Sequence, residues 1–137
     1  YGVETDEACL AHCKKCHYNV IRADLLDPLP FPDNFFDNCF SHDVLEHFEL
    51  KDVETIFRNV HKVLRKGGTF INIIPNRLGV ELGMRTNAGH RHFITPEEIE
   101  QMSRVTGFTF LKSYSSPLPA VFHHFFCHNK YVNVCKK

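Results

Sequence analysis

The segment from 53 to 74 constrains the fold most, because a helical pattern gives way within a few residues to a strand-like one. TFINII, at 69–74, is β-branched and aromatic and stops at Pro75, which is typical of a buried strand. Gly67 and Gly68 precede it and predict the end of the helix. A buried helix followed by a buried strand indicates an α/β sheet with crossover helices. The apolar positions spaced three and four apart are Val53, Ile56, Phe57, Val60, Val63 and Leu64.

Short strand-like segments surround this unit. YGVET at 1–5, YNVIRA at 18–23 and FDNCFS at 36–41 precede it, with the helix-compatible segment around Cys13 after the first. Two further runs, FTFLKSY at 108–114 and FHHFFCHNKYVNV at 122–134, have no helical segment between them. Neighbouring strands without a crossover helix predict an antiparallel edge at the C-terminal end of the sheet.

A second helix is predicted from the sequence TPEE. Thr95 is the expected N-cap, Pro96 occupies the first helical position and Glu98 completes a capping box. Gly107 predicts the end of this helix. The residues expected on its apolar face are Ile99, Met102 and Val105.

Composition is ordinary for one globular domain, which we place over 1–137, with 43% hydrophobic and 23% charged residues. Sixteen Lys and Arg balance sixteen Asp and Glu, and no basic run exceeds two residues, so we expect no nucleic-acid partner. The apolar runs are too short to cross a bilayer. We therefore predict a cytoplasmic protein with reduced thiols and no membrane span.

Three cysteines, Cys9, Cys13 and Cys16, have the spacing with which radical enzymes hold an iron–sulfur cluster. On a helix capped by Thr5 or Asp6, the same spacing places them on one face. Because buried thiols behave as small hydrophobes, this interpretation gives three core contacts. No second group of ligands accompanies them, so we favour helix packing and predict no metal site.

Five segments form a recognisable series: GVETD at 2–6, ADLLDPLPFPDNFFDNCFSHDVLEHF at 23–48, VHKVLRKGGTFINIIPN at 60–76, HRHFITPEEIEQM at 90–102 and GF at 107–108. In this order they resemble the signatures of class I S-adenosylmethionine-dependent methyltransferases of the small-molecule, methyltransferase domain 11-like type. The resemblance implies a Rossmann-like sheet of seven strands, parallel except for one, with helices on both faces. It also implies S-adenosyl-L-methionine as cofactor and methyl transfer to oxygen, nitrogen or carbon of a small-molecule acceptor.

Candidate cofactor residues follow the strands, since ligands of open parallel sheets bind beyond the carboxyl ends of the strands. Glu4 is expected to accept the ribose hydroxyls, or else to stabilise the N-terminus of the next helix. Asp24 is expected to accept from the adenine amine, with Leu25 adding a backbone amide and an apolar contact; alternatively, Asp24 serves the turn. Ser41 and His42 end the third strand and are expected near the methionine part of the cofactor.

Methyl transfer from a sulfonium depends mainly on positioning and the exclusion of water. Where the acceptor is a hydroxyl, His42 is the candidate catalytic base. The segment 76–93 is expected to form the acceptor pocket, with Arg85, His90 and His92 as candidate substrate-binding residues.

One signature of the family is missing, namely the first strand and its glycine-rich turn. The seven glycines lie at 2, 67, 68, 79, 83, 89 and 107, and Tyr1 begins at the expected second strand. The first strand would lie between YGVET and FDNCFS, so its loss leaves unpaired backbone groups there. We therefore expect a fragment of a longer protein, completed by a homo-oligomer or by a strand-supplying partner.

Two other classes are considered. A catalytically inactive methyltransferase-like binding subunit is the alternative to an enzyme, because a fold that loses its cofactor loop can persist by pairing with a partner. A nucleotide-binding dehydrogenase would explain an acidic residue after the second strand, but not LPFPDNFFD at 29–37 or VLRKGG at 63–68.

Overall fold

A computed structural model of the 137-residue chain describes residues 1–75, 93–115 and 130–137. Those ranges contain six β-strands, three α-helices and one short 3-10 helix at Leu45–His47. In chain order they are β1 (Gly2–Glu4), α1 (Glu7–Lys15), β2 (Val20–Arg22), β3 (Phe36–His42), α2 (Leu50–Val63), β4 (Leu64–Pro75), α3 (Pro96–Thr106), β5 (Thr109–Ser115) and β6 (Lys130–Lys136).

The described strands form two separate sheets. β1 and β2 pair in parallel, and the other sheet has the order β3-β4-β6-β5. β3 is parallel to β4, whereas β6 is antiparallel to both of its neighbours. The predicted α/β fold with an antiparallel C-terminal strand is confirmed, but β6 lies between β4 and β5 and not at the edge. Asn133 and Cys135 of β6 are accordingly buried, while Leu111 and Tyr114 of β5 are exposed.

Helix α2 packs against β4 through one aromatic cluster. Phe57 is fully buried, and its ring meets those of Phe70 and Phe108 at centroid distances of 5.2 and 5.8 Å. The predicted apolar stripe is confirmed, because the residues that it names are all buried in the structure. This contact packs α2 against the middle of β4.

The two central glycines do not end α2, contrary to the prediction. The helix ends at Val63, and β4 begins at Leu64 and continues through Gly67 and Gly68. Gly67 adopts a left-handed φ of 81°, and a Cβ on Gly68 would lie 2.8 and 2.9 Å from backbone oxygens of Arg65 and Asp37. Glycine is therefore required by a register shift between β3 and β4, where the backbones approach closely.

Helix α3 has the predicted caps. The Glu98 N–H donates to the Thr95 hydroxyl at 3.2 Å, and the Thr95 N–H donates to the Glu98 carboxylate at 2.8 Å. Gly107 ends the helix in the left-handed region with a φ of 90°. The apolar face differs from the prediction, since Val105 is 49% exposed and the small polar Ser103 is buried against the sheet, with its Oγ 3.1 Å from Cys135 Sγ.

The cysteine-rich helix is oriented differently from the prediction. Asp6 caps α1 by accepting from the Cys9 N–H at 2.8 Å, as expected. Cys9 and Cys16 are nevertheless exposed, and the residue that α1 buries is Leu10. The prediction of three core contacts is wrong because the face of α1 beside the β1–β2 sheet carries Leu10, and Cys9 and Cys16 lie away from it.

A gap separates β1 from β3. Each strand is paired on one side only within the described residues, β1 with β2 and β3 with β4. The gap contains a cavity of ≈ 410 Å³ between the strands and α2. Tyr1 is among the residues that line the cavity, and its ring centroid lies 5.8 to 6.0 Å from those of Phe31, Phe35 and Phe36.

Candidate cofactor site

A second cavity, of ≈ 370 Å³, lies at the carboxyl ends of β1 and β2 and beside the segment that follows β3. Its size falls within the range of small-molecule sites, about 300–1,000 Å³. Its lining combines carboxylates with apolar side chains, which suits a ligand with both polar and flat apolar parts. It is lined by Val3, Glu4, Thr5, Ala23, Asp24, Leu25, Asp43, Val44, His47 and Phe48.

The Glu4 carboxylate is held by the backbone that follows it. Its Oε1 accepts from the N–H groups of Thr5 at 2.7 Å and Asp6 at 3.0 Å. These two hydrogen bonds occupy both lone pairs of Oε1. Within the described residues Oε2 makes no hydrogen bond or ion pair, so it can accept two hydrogens from a ligand.

Asp24 has the same arrangement at the end of β2. Its Oδ1 accepts from the Leu26 N–H at 2.9 Å, and its carbonyl accepts from the Asp27 N–H at 3.3 Å, so Asp24 also opens a turn. Oδ2 has no partner in the part of the chain that the structure describes. The side-chain amide of Asn59 on α2 donates to the carbonyls of Leu25 and Asp27 at 2.8 and 2.9 Å, which holds this turn against the helix.

Ser41 and His42 line the larger cavity, in the gap between β1 and β3. The two cavities adjoin, since Val3, Leu25 and Val44 border both. The Ser41 Oγ is buried and has no hydrogen-bond partner within the described residues. Cys39 lines the same cavity, and burial raises the pKa of its thiol to about 11, so the thiol is protonated at neutral pH and is no nucleophile.

His42 belongs to a group of three charged or titratable side chains. Lys130, at the start of β6, places its Nζ 2.6 Å from His42 Nε2 and 2.5 Å from Asp43 Oδ2. Asp43 follows β3 directly, with a left-handed φ of 53°, and its N–H donates to the Ile73 carbonyl at 3.0 Å. The group therefore lies beside the cavities, where β3 and β4 end and β6 begins.

Comparison with known proteins identifies the family. The sequence model of the family described as "Methyltransferase domain" matches residues 1–72. A probable S-adenosylmethionine-dependent methyltransferase of Mycolicibacterium smegmatis is 33% identical over 110 residues, which is 78% of this chain. The chain belongs to the S-adenosylmethionine-dependent methyltransferase family. It spans 42% of the length of that relative.

Solved structures of methyltransferases share the fold. An S-adenosylmethionine-dependent methyltransferase from Archaeoglobus fulgidus superposes with a TM-score of 0.80 at 15% identity, over 99% of this chain and 75% of the other. A methyltransferase from Haloferax volcanii, solved in complex with the Trm112 methyltransferase activator, has a TM-score of 0.76 at 14% identity, over 98% and 70% of the two chains. The cofactor of the family, S-adenosylmethionine, fits the hydrogen-bond acceptors here, because Glu4 and Asp24 each have one carboxylate oxygen without a partner in the described residues.

The predicted residues of this methyltransferase domain fall into three groups. Glu4, Asp24 and Leu25 converge on the smaller cavity, and Ser41 with His42 lines the adjoining one. The predicted substrate-binding residues Arg85, His90 and His92 lie outside the described residues.

Several residues at this site escaped the sequence reasoning. Asn59 and Lys130 come from distant parts of the chain, and no local pattern connects them to the strand ends. His47, for which the sequence suggested no ligand role, also lines the smaller cavity. Of these three residues only His47 lies within a methyltransferase-like segment, at 23–48, so the sequence offered no signal for Asn59 or Lys130.

Glu46 is an acidic residue next to the site in sequence, and it is only 1% exposed. Loss of solvation on burial raises the pKa of its carboxyl, and the neighbouring Asp43 carboxylate raises it further. Glu46 lines neither cavity, so its raised pKa gives it no role in ligand binding.

Metal-ligand clusters and membrane-spanning helices are not found among the described residues. Within residues 1–75, 93–115 and 130–137, no three His, Cys, Asp or Glu side chains converge in a way that could hold a metal ion. None of the described helices has the length and apolarity that a membrane-spanning helix needs.

Proposed function

We propose that the protein transfers a methyl group from S-adenosylmethionine to a small-molecule acceptor, with 1–137 acting as a single domain in the cytoplasm. The observation that carries the proposal is the paired arrangement of Glu4 and Asp24. Each carboxylate is fixed by one oxygen to local backbone and keeps the other oxygen for a ligand in the cavity of ≈ 370 Å³. Such pre-oriented acceptors suit a nucleoside with a diol and an exocyclic amine.

In this proposal each side chain binds one part of the cofactor. Glu4 Oε2 accepts the ribose hydroxyls, and Asp24 Oδ2 accepts the adenine amine. Leu25 and Phe48 cover the apolar faces of the base. Bound S-adenosylmethionine supplies an activated methyl group, and Ser41 and His42 border the adjoining cavity into which its methionine part extends.

The acceptor side rests on sequence position. Where the acceptor is a hydroxyl, we propose that His42 takes its proton, and that Arg85, His90 and His92 contribute to acceptor binding. Oxygen, nitrogen and carbon remain equal candidates for the methylated atom.

The experiment that tests the function is a calorimetric titration of the purified chain with S-adenosylhomocysteine, the demethylated cofactor. We expect saturable binding with a Kd in the micromolar range, about −8 kcal/mol. No binding to a folded sample would contradict the proposal. That result would favour the second candidate, a catalytically inactive methyltransferase-like binding subunit, for which the open gap between β1 and β3 is the supporting observation.

We also propose that a further β-strand, supplied by a second copy or by a partner chain, occupies the gap between β1 and β3. Both strands have an unpaired edge there within the described residues, and the intervening cavity is lined by apolar side chains. Unpaired strand edges over an apolar cavity are unstable in water, which favours an occupant. The S-adenosylhomocysteine titration alone does not test this proposal.

Amide hydrogen exchange measures whether the gap is filled. In an edge strand only alternate amides pair, whereas a strand with two neighbours protects consecutive amides. We expect slow exchange at consecutive amides of 36–42, with the interior strand β6 as reference. Alternating protection along 36–42 would contradict the proposal. Light scattering then distinguishes a second copy, which doubles the mass, from a different partner.

A further inference from the structure

The contact between Lys130 and His42 joins two basic groups. Lys130 Nζ lies 2.6 Å from His42 Nε2, although the residues are 88 positions apart in the chain. An ammonium has three donor hydrogens and no acceptor, so it can bond only to a ring nitrogen that carries no hydrogen. One of the two groups must therefore provide a lone pair, which here restricts how the ring is protonated.

Asp43 shows which group carries the hydrogen. Its Oδ2 lies 2.5 Å from Lys130 Nζ and 3.6 Å from His42 Nε2, so the carboxylate pairs with the lysine. A carboxylate stabilises the protonated ammonium. Lys130 is thus the donor to both neighbours, and His42 Nε2 is the acceptor.

The fold keeps this arrangement in place. Lys130 pairs in register with Pro75 at the end of β4, and its side chain is 13% exposed, against 48% for His42 and 43% for Asp43. Asp43 is fixed by its left-handed backbone and by its bond to the Ile73 carbonyl. A lysine with so little exposure has few other positions for its ammonium group.

We propose that Lys130 is a positioning residue that holds His42 as the neutral tautomer with its hydrogen on Nδ1. With Nε2 accepting from Lys130 and Nδ1 protonated, the ring has no free lone pair for a proton. The tautomer of His42 does not depend on the proposed function; only its consequence for methyl transfer rests on that proposal. His42 can take a proton from a methyl acceptor at Nε2 only after the Lys130 contact opens.

Nitrogen NMR of the protein labelled with ¹⁵N-histidine tests the tautomer without cofactor or activity. The ring coupling pattern shows which nitrogen carries the hydrogen, and loss of a signal in His42→Gln assigns it among the ten histidines. At about pH 8 free histidine is neutral and lysine is still protonated. We expect the hydrogen of His42 on Nδ1 in the wild type, and on Nε2 in Lys130→Met, because Nε2–H is the commoner tautomer of free histidine.

Two variants separate positioning from a general effect on folding. Lys130→Arg retains a cationic donor and is expected to keep the wild-type tautomer. Lys136→Met, at the exposed end of the same strand, is expected to change nothing at His42. A hydrogen on Nε2 in the wild type, or an unchanged tautomer in a folded Lys130→Met, would overturn the proposal. The wild-type measurement decides even if Lys130→Met does not fold, and it is independent of S-adenosylhomocysteine binding.

Discussion

Replacement of Asp24 by alanine is expected to weaken S-adenosylhomocysteine binding by about 10- to 100-fold. A hydrogen bond from a ligand amine to a carboxylate contributes about 1.5–3 kcal/mol, and each 1.4 kcal/mol is tenfold in Kd. The free Oδ2 of Asp24 is the atom that this ligand would use. Calorimetry of the wild type and the variant, at one salt concentration, measures the difference.

Asp24→Asn and Asp27→Ala are the matched controls. Asparagine keeps the turn bond to the Leu26 N–H but loses the charge, so it should bind nearly as weakly as alanine if the ligand amine needs the carboxylate. Asp27 lies in the same turn, is exposed and does not line the cavity, so Asp27→Ala should bind like the wild type. Wild-type affinity in Asp24→Asn would assign Asp24 to the turn alone.

Replacement of Phe57 by alanine is expected to lower the free energy of unfolding by about 3–5 kcal/mol. Phe57 is fully buried between Phe70 and Phe108, so the substitution leaves a cavity at the junction of α2, β4 and the start of β5. Because natural domains are stable by only about 5–15 kcal/mol, this loss removes a large share of the total. Chemical denaturation monitored by circular dichroism measures it.

Leu111→Ala on the edge strand provides the comparison. Leu111 is 50% exposed, so a loss within about 1 kcal/mol is expected there. Equal losses for the two variants would contradict the assignment of the core to the α2–β4 interface. The same denaturation measurement, made on the Asp24 and Lys130 variants, shows whether they retain the stability of the wild type.

Much of the fold could be predicted, because a helix or strand with one buried face has a strong local pattern in its sequence. The stripe of α2 and the capping box at Thr95 and Glu98 depend on residues three and four apart, which the backbone brings together without help from the rest of the chain. The role of Gly67 and Gly68 could not be predicted in the same way. A glycine pair fits a helix end and a close strand approach equally well, and the choice depends on where β3 runs.

The candidate site was predictable in part for a similar reason. Glu4 and His42 each end a strand and Asp24 follows β2 by two residues, and parallel strands bring their carboxyl ends to one side of a sheet. The division of the site into two cavities was not predictable, because it depends on the gap between the sheets. Cys9 and Cys16 were wrongly placed in the core, since the spacing on a helix defines a face but not the direction of that face.

The sequence by itself determined the α/β order of elements, the family signatures and the acidic residues at the strand ends. These features depend on short-range periodicity and on the order of motifs, which can be recognised without knowledge of distant contacts. Only the tertiary structure decided that β6 inserts between β4 and β5, and that Lys130 therefore meets His42 and Asp43. Contacts between residues so far apart in the chain depend on sheet register and helix packing, which act through space and leave no local pattern.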